Sequence, residues 1–362
     1  MTFIWVMRDK GSEWRTLRRF LASGRLPFSP LIEAVCEPYF AREDSSPKSP
    51  VAVLRTFGEK LGPLTDSGRV WVDLGHLLRL FSAADVGRFH KVVRQNIGLA
   101  THLATPIIRS SSPPEVVDAV FRWAHQEGAG IGVRIEGAQH LRDKAAFARE
   151  ILKSSGLPGS EIDLFFDAQD LPRAASYEQF QDLFPLTLTA RTWAVLGGAF
   201  PASITEMSPE TFEHFLDRDE WDAWKEEIGG KGLRRIPLYG DYATQPALYS
   251  PSPSFPGSPS LRYTAERRFV LLRGRGGVRG QGIDYRQYIG HAIHLIKQPY
   301  FREVCPTPAD EYVQLIASRT HGTGNMTTWR VASLQRHLTL VATQVAQVAA
   351  TIASSSVRRR SR

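Results

Sequence analysis

The chain has 362 residues, 42% of them hydrophobic and 23% charged, which is the composition of a globular protein in water. No apolar run approaches the roughly 18 residues of a membrane span, and two cysteines, Cys36 and Cys305, exclude a disulfide framework or a cysteine-rich zinc site. The net charge is +8, but four of those charges sit in the closing RRRSR; without them the body carries about +4, ordinary for this size and weak support for a nucleic-acid-binding surface.

The length suits one large α/β barrel or two ordinary domains. The N-terminus lacks a basic region followed by a long apolar run, so no signal peptide is expected, and a reducing cytoplasm is the default compartment.

In chain order, FIWVM (Phe3 to Met7) reads as the first strand and runs into Arg8. A helix follows from Ser12 to Ala22, with Leu17, Phe20 and Leu21 as its apolar stripe. PLIEAV (Pro30 to Val35) is the second strand, and REDSSPKSP a polar loop. VAVLRTFGEKLG is a short helix, and VWVDL (Val70 to Leu74) the third strand. A helix from Ala83 to Asn96 leads to TPIIR (Thr105 to Arg109), the fourth strand. GIGVRIE and EIDLFFD are the fifth and sixth, separated from TPIIR and from each other by the helical runs PPEVVDAVFRWAHQ and LRDKAAFAREILKSSG.

TWAVLGG (Thr192 to Gly198) is the seventh strand. SPETFEHFLDRDEWDAWKEEI then reads as one helix, with Ser208 and Pro209 as its start signal. RRIPLYGDY (Arg234 to Tyr242) is the eighth strand. Eight strand–helix units with short connections predict parallel strands. They favour a closed (β/α)₈ barrel of the TIM type with a C-terminal helical extension over an open doubly wound sheet.

After the eighth strand the rhythm stops. The expected organisation is a barrel over 1–300 with a Pro/Ser-rich and RG-rich insertion at 245–282, a helical extension over 301–356, and a basic tail at 357–362. RRFVLL would be one further strand, and DYRQYIGHAIHLIKQPYF the helix covering the eighth strand. The last helix starts near Thr327. Val331, Leu334, Leu338, Val341, Val345, Val348 and Ile352 make a heptad seam along it. That seam either packs along the barrel or forms a homo-oligomer or partner contact.

Strand side chains alternate between faces. In GIGVRIE, Ile131, Val133 and Ile135 suit the helix layer, which turns Arg134 and Glu136 inward; in DLFFD the same logic turns Asp163, Phe165 and Asp167 inward. Glu33, Asp73, Arg109 and Asp241 are predicted to be inward near the C-terminal ends of their strands. Isolated buried charge costs several kcal/mol unless paired or solvated, and the C-terminal rim is where barrel enzymes place their chemistry.

The candidate catalytic acids are therefore Glu33, Asp73, Glu136, Asp167 and Asp241. Candidate substrate-binding residues are Arg8, Arg109, Arg134, Gln169, Phe200, Tyr242 and Arg262. Asp73, Asp167 and Asp241 could hold Mg²⁺ or Mn²⁺ through oxygen ligands, and paired arginines could clamp a phosphate-containing ligand. Together these would suit phosphodiester cleavage. Two carboxylates alone could be a glycosidase pair, and mutual salt bridging in the mouth is the bland alternative.

Weaker signals are the turn Gly197-Gly198-Ala199-Phe200-Pro201, His321 in THGTGN, and the basic loop Arg273 to Gly282. That loop and the C-terminal arginines could meet nucleic acid. No strand end carries an inward histidine, and no Walker A, GxSxG or HExxH pattern is present.

The motifs PLIE, WVDL, TPIIR, VRIE, DLFFD, GGAFP, RDEW (Arg218 to Trp221), YGDYA, RYT (Arg262 to Thr264) and a late Trp329-Arg330 occur in that order. Together they resemble the beta protein family of phage and bacterial genomes, over nearly the whole chain. Members usually carry SFP where this chain has Ala199-Phe200-Pro201, and often paired histidines where it has Arg336-His337. The resemblance implies a stand-alone cytoplasmic protein associated with phages or mobile elements and connected with phage defence. It brings no activity with it.

The functional expectation is an enzyme, a metal-assisted hydrolase of a nucleotide or nucleic acid. The alternative is a non-catalytic binding or assembly module that uses the barrel as scaffold and the heptad helix as contact.

Overall fold

The computed structural model describes residues 2–24, 26–35, 50–65, 68–77, 83–137, 141–169, 184–204, 207, 212–230, 235–249, 258–276 and 282–360. The chain opens with β1 (Phe3–Arg8), α1 (Gly11–Ala22), β2 (Phe28–Glu33), α2 (Pro50–Thr65), β3 (Val70–Asp73), α3 (Ala83–Ile97) and β4 (Ala104–Arg109). It continues with α4 (Pro114–Glu127), β5 (Ile131–Glu136), α5 (Leu141–Ser154), β6 (Ile162–Asp167), α6 (Phe184–Thr187) and β7 (Thr192–Gly197). Next come β8 (Glu213–Asp217), α7 (Asp219–Gly230), β9 (Leu238–Asp241), β10 (Leu261–Thr264) and β11 (Arg268–Leu272). Three helices close the chain: α8 (Gln287–Leu295), α9 (Pro308–Ala317) and α10 (Met326–Arg360).

Strands β1 to β7 and β9 pair in parallel, in that order, and β9 returns to β1 through Ile4–Gly240 and Trp5–Asp241. This is the closed (β/α)₈ barrel expected. Ile4, Val6, Leu31, Trp71, Ile107, Phe165, Ala194 and Leu196 fill the interior, so it is a packed core and not a pore. Ile131, Val133, Ile135, Leu164 and Phe166 face the helix layer. At the N-terminal end of β6, Asp163 points inward and is satisfied by Trp71 Nε1 and Arg191 Nη2, both at 2.6 Å.

The segment expected as one helix from Ser208 divides. Glu213–Asp217 is a strand, antiparallel to β11, and β11 pairs in turn with β10. Only Asp219–Gly230 is helical, and the start signal Ser208-Pro209 lies outside the described residues. Partners some 50 residues away override the local helical pattern here. The insertion at 245–282 therefore contains two strands, β10 and β11; its stretches 250–257 and 277–281 are not described. The eighth barrel strand is also shorter than expected, Leu238–Asp241.

The small sheet has its own core, in which Leu261, Tyr263, Val270 and Leu272 pack on Tyr288, Ala292, Leu295, Val313, Ile316 and Trp329. Thus α8 covers this sheet and not the eighth barrel strand. The barrel's remaining gap is closed by α10, which lies along α1 and β1. Leu334, Leu338, Val341 and Val345 of the heptad seam join the barrel's outer core, and Val348 packs on it. Any self-association through α10 must use a different face.

Candidate functional site

Alternation on β2, β3, β4, β5 and β6 brings Glu33, Asp73, Arg109, Arg134, Glu136 and Asp167 to the C-terminal mouth, and Arg8 joins them from the end of β1. Arg134 is the hub. Its Nη1 lies 2.9 Å from Glu33 and 2.6 Å from Asp73, and its Nη2 and Nε lie 2.6 and 2.9 Å from Asp167. Arg109 reaches Asp73 at 2.8 Å, Glu136 at 2.9 Å and Glu33 at 3.2 Å. It passes directly over Gly75, where a Cβ would lie 2.1 Å from its Nε. Arg8 pairs with Glu33 at 3.2 Å and donates to the carbonyls of Pro246 and Ala247 at 2.7 and 2.8 Å. Tyr242 accepts from Arg134 and donates to Asp167 at 2.6 Å. Except for Glu136, every member of this ring is buried.

The electrostatics follow from that packing. Burial pushes the Glu33 and Asp73 carboxyls up, but the guanidinium groups around them outweigh it: Arg134 and Arg109 hold both below the usual carboxylate range, Arg8 and His76 adding at Glu33. The same pairing raises Arg134 and Arg109 despite their burial. These groups stay charged and saturated. At Glu136 the balance reverses: burial raises its proton affinity more than Arg109 and Arg134 lower it. Lys144, which donates to the carbonyls of Glu136 and Gly137, is lowered by burial, partly offset by Glu136. A raised acid beside a lowered amine is the pattern of a proton-transfer site.

The other expected residues fall elsewhere. Gln169 sits just past β6 with φ +56°, its backbone N–H donating to Asp167 Oδ1 at 3.0 Å. Phe200 and Arg262 form a stack on the rim, the guanidinium 4.3 Å from the ring centre. Asp241 is not in the mouth. It shares the outward face of β9 with Tyr239, while Gly240 faces inward, where a Cβ would come within 2.3 Å of Leu196. Asp241 instead accepts from Tyr239 at 2.7 Å and lies 2.7 Å from His337 Nε2 on α10.

The expected metal set of Asp73, Asp167 and Asp241 is therefore split by the barrel wall. Among the described residues no group of three or more His, Cys, Asp or Glu side chains is placed to hold a metal ion. The physical reason is that guanidinium groups already occupy the inward carboxylate oxygens.

Sequence reasoning missed His76, Lys144 and His337. His76 lies three residues past Asp73, 3.4 Å from Glu33 and against Tyr249; a histidine just beyond a strand end was the available signal. His337 is a buried partner of Asp241 and Thr264. Its neighbour Arg336 ties α10 to the small sheet through the carbonyls of Thr264, Cys305 and Glu303.

The family model described as Beta protein matches residues 6–343. Comparison with curated proteins gives no match. Among solved structures the chain is similar to 2,3-dimethylmalate lyase, a member of the PEP mutase/isocitrate lyase superfamily. The two share 12% identity at a TM-score of 0.37, over 67% of this chain and 76% of that one.

Proposed function

The chain belongs to the beta protein family, and we propose that it is a hydrolase of a phosphate-containing substrate, nucleotide or nucleic acid, working by general acid–base catalysis at the barrel mouth. Glu136 is the acid–base group. The observation that carries the reading is its contrast with its neighbours: it alone among the ring carboxylates is part-exposed and has a single guanidinium hydrogen bond, and its proton affinity is raised where those of Glu33 and Asp73 are lowered. The ring of Arg8, Arg109, Arg134, Glu33, Asp73 and Asp167 is the rigid frame that holds it, and Lys144 is the neighbouring amine. Since the ring acids are engaged by arginines, proton transfer falls to Glu136 and not to a ring-bound Mg²⁺ or Mn²⁺.

Phosphate monoesters, phosphodiesters, nucleotides and short oligonucleotides, each with a chelator present, form the test panel. Wild type is expected to turn over one class, and Glu136→Gln to keep its fold and lose on the order of 10²- to 10⁴-fold in rate. A wild-type protein inert on the whole panel, or a Gln variant of undiminished rate, overturns the reading. The motif resemblance supports a setting in phage biology. Plaque counts on cells carrying wild type or Glu136→Gln test that part.

One observation favours a second reading, an assembly module. Phe20, Pro27, Ala342, Ala346 and Ala350 line an apolar groove of about 600 Å³ between α1 and α10. If it docks a partner copy, the mass in solution exceeds that of one chain and falls to it in Ala346→Glu.

A further inference from the structure

The loop that follows β9 has two sides. On one, Tyr242 enters the mouth and the carbonyls of Pro246 and Ala247 hold Arg8. On the other, the Thr244 carbonyl accepts from Arg262 of β10 at 2.5 Å. Arg262 lies flat on Phe200, just past β7. Among the described residues that single hydrogen bond and the ring are all it has; it makes no ion pair.

Its cationic neighbour is Arg330 on the first turns of α10, which makes no hydrogen bond or ion pair to the described residues. Arg330 follows Trp329, whose ring stacks on Tyr288 at 4.8 Å. Along α10, Arg336 and His337 meet Thr264 and Gln344 meets Glu266, so the helix advances alongside the β10 segment and its earlier turn, with Arg330, lies toward Arg262; Tyr288, stacked on Trp329, lies beside them. Among the described residues the Tyr288 hydroxyl has no hydrogen bond and the buried Thr244 Oγ1 has no partner.

One acid acts on Arg262: Glu13, whose oxygens also accept from Ser12 and Gln245, each at 2.5 Å. Burial and the like charge of Arg330 pull Arg262 down to about 9, still protonated at neutral pH. Two guanidinium groups against this one acid leave a net positive charge, which an added anion relieves. The planar guanidinium fork matches a phosphate in two parallel hydrogen bonds.

We propose that Arg262, Arg330 and the Tyr288 hydroxyl form a phosphate-binding site at the seam between the barrel rim and the small sheet. Phe200 is the platform under Arg262, and the site takes the phosphate group of the substrate. The site lies against the ends of the seventh and eighth barrel strands, where barrels frequently hold phosphate; that part is analogy. The inference rests on the reading of the barrel mouth only for calling the bound group part of a substrate.

Binding of inorganic phosphate to the full chain, by calorimetry and by thermal shift at matched ionic strength, tests it. Saturable binding is expected, with a rise in Tm that chloride does not produce. Arg330 has no hydrogen bond or ion pair to lose among the described residues, so Arg330→Gln is expected to fold as wild type does and to weaken phosphate binding about tenfold or more, the worth of one charge-assisted contact. Arg262→Gln is expected to do the same, and Arg55→Gln, an exposed arginine on α2, to bind as wild type does. A mononucleotide that binds more tightly than phosphate assigns the group to a nucleotide; equal binding assigns it to free phosphate. No saturable binding of either, or unchanged binding in both arginine variants, overturns the proposal. Glu136→Gln is expected to bind phosphate as wild type does, so a failure of the site and a failure of the proposed reaction are told apart.

Discussion

The barrel mouth and the seam at Arg262 both concentrate guanidinium groups, and they treat them in opposite ways. In the mouth, Arg109 and Arg134 each meet three carboxylates, and Arg8 spends its donors on Glu33 and two carbonyls. At the seam, Arg262 has one carbonyl and a ring, and Arg330 nothing among the described residues. Charge that is already matched holds a structure in place. Charge that is not matched is available to a ligand. The mouth's most conspicuous arginines are thus the wrong ones to ask for substrate, and the proposed chemistry rests on Glu136, the member least well matched.

The sharpest way to break this comparison is at Arg134. Arg134→Met leaves Glu33, Asp73 and Asp167 buried without their shared counter-ion, which costs on the order of 3–5 kcal/mol. Urea unfolding is expected to show that loss as a lower midpoint. A variant within about 1 kcal/mol of wild type would mean that water or relaxation replaces the ion pairs and that the ring is not a frame.

How much of this was legible beforehand depends on the range of the interaction. The period of two along a strand is local, and it sorted Arg134 and Glu136 from Val133 and Ile135 correctly. It also forbids adjacent residues in one strand from sharing a face, which is why Tyr242 and Asp241 part company at the end of β9. The strand at Glu213–Asp217 was illegible because β11 makes it one. The α10 seam was readable as apolar, but a heptad pattern does not say whether its partner is a second chain or the chain's own barrel. Nor can spacing show which arginine is left without an ion pair among the described residues: Arg109 and Arg262 look equally basic in sequence.

Between the two extremes lies the outer cluster of Arg218, Glu220, Tyr239, Asp241 and His337. It is buried but imperfectly matched, with Arg218 Nη2 and Glu220 Oε2 lacking partners. Burial, with Asp241 nearby, pushes Glu220 up to about 7 against Arg218. A carboxyl raised in the folded state is stabilising while protonated. Its contribution is complete below its ordinary range near 4.5 and is lost as pH rises through about 7. Unfolding free energies at pH 5 and pH 8 should therefore show wild type losing up to about 3 kcal/mol from this group. Glu220→Gln should lose less and exceed wild type at pH 8. A variant with the wild-type slope would place the titration elsewhere.

The smallest effect is expected at Arg262, and its smallness is the point. Arg262→Met gives up one hydrogen bond to Thr244 and a stack on Phe200, together about 1–2 kcal/mol. It also removes a half-buried cation that makes no ion pair among the described residues and the repulsion from Arg330, terms of similar size and opposite sign. In phosphate-free buffer the variant should unfold within about 1 kcal/mol of wild type. Added phosphate should then separate the two, because only wild type gains stability by binding it. A loss at Arg262 as large as that at Arg134 would show that this guanidinium, too, belongs to the frame.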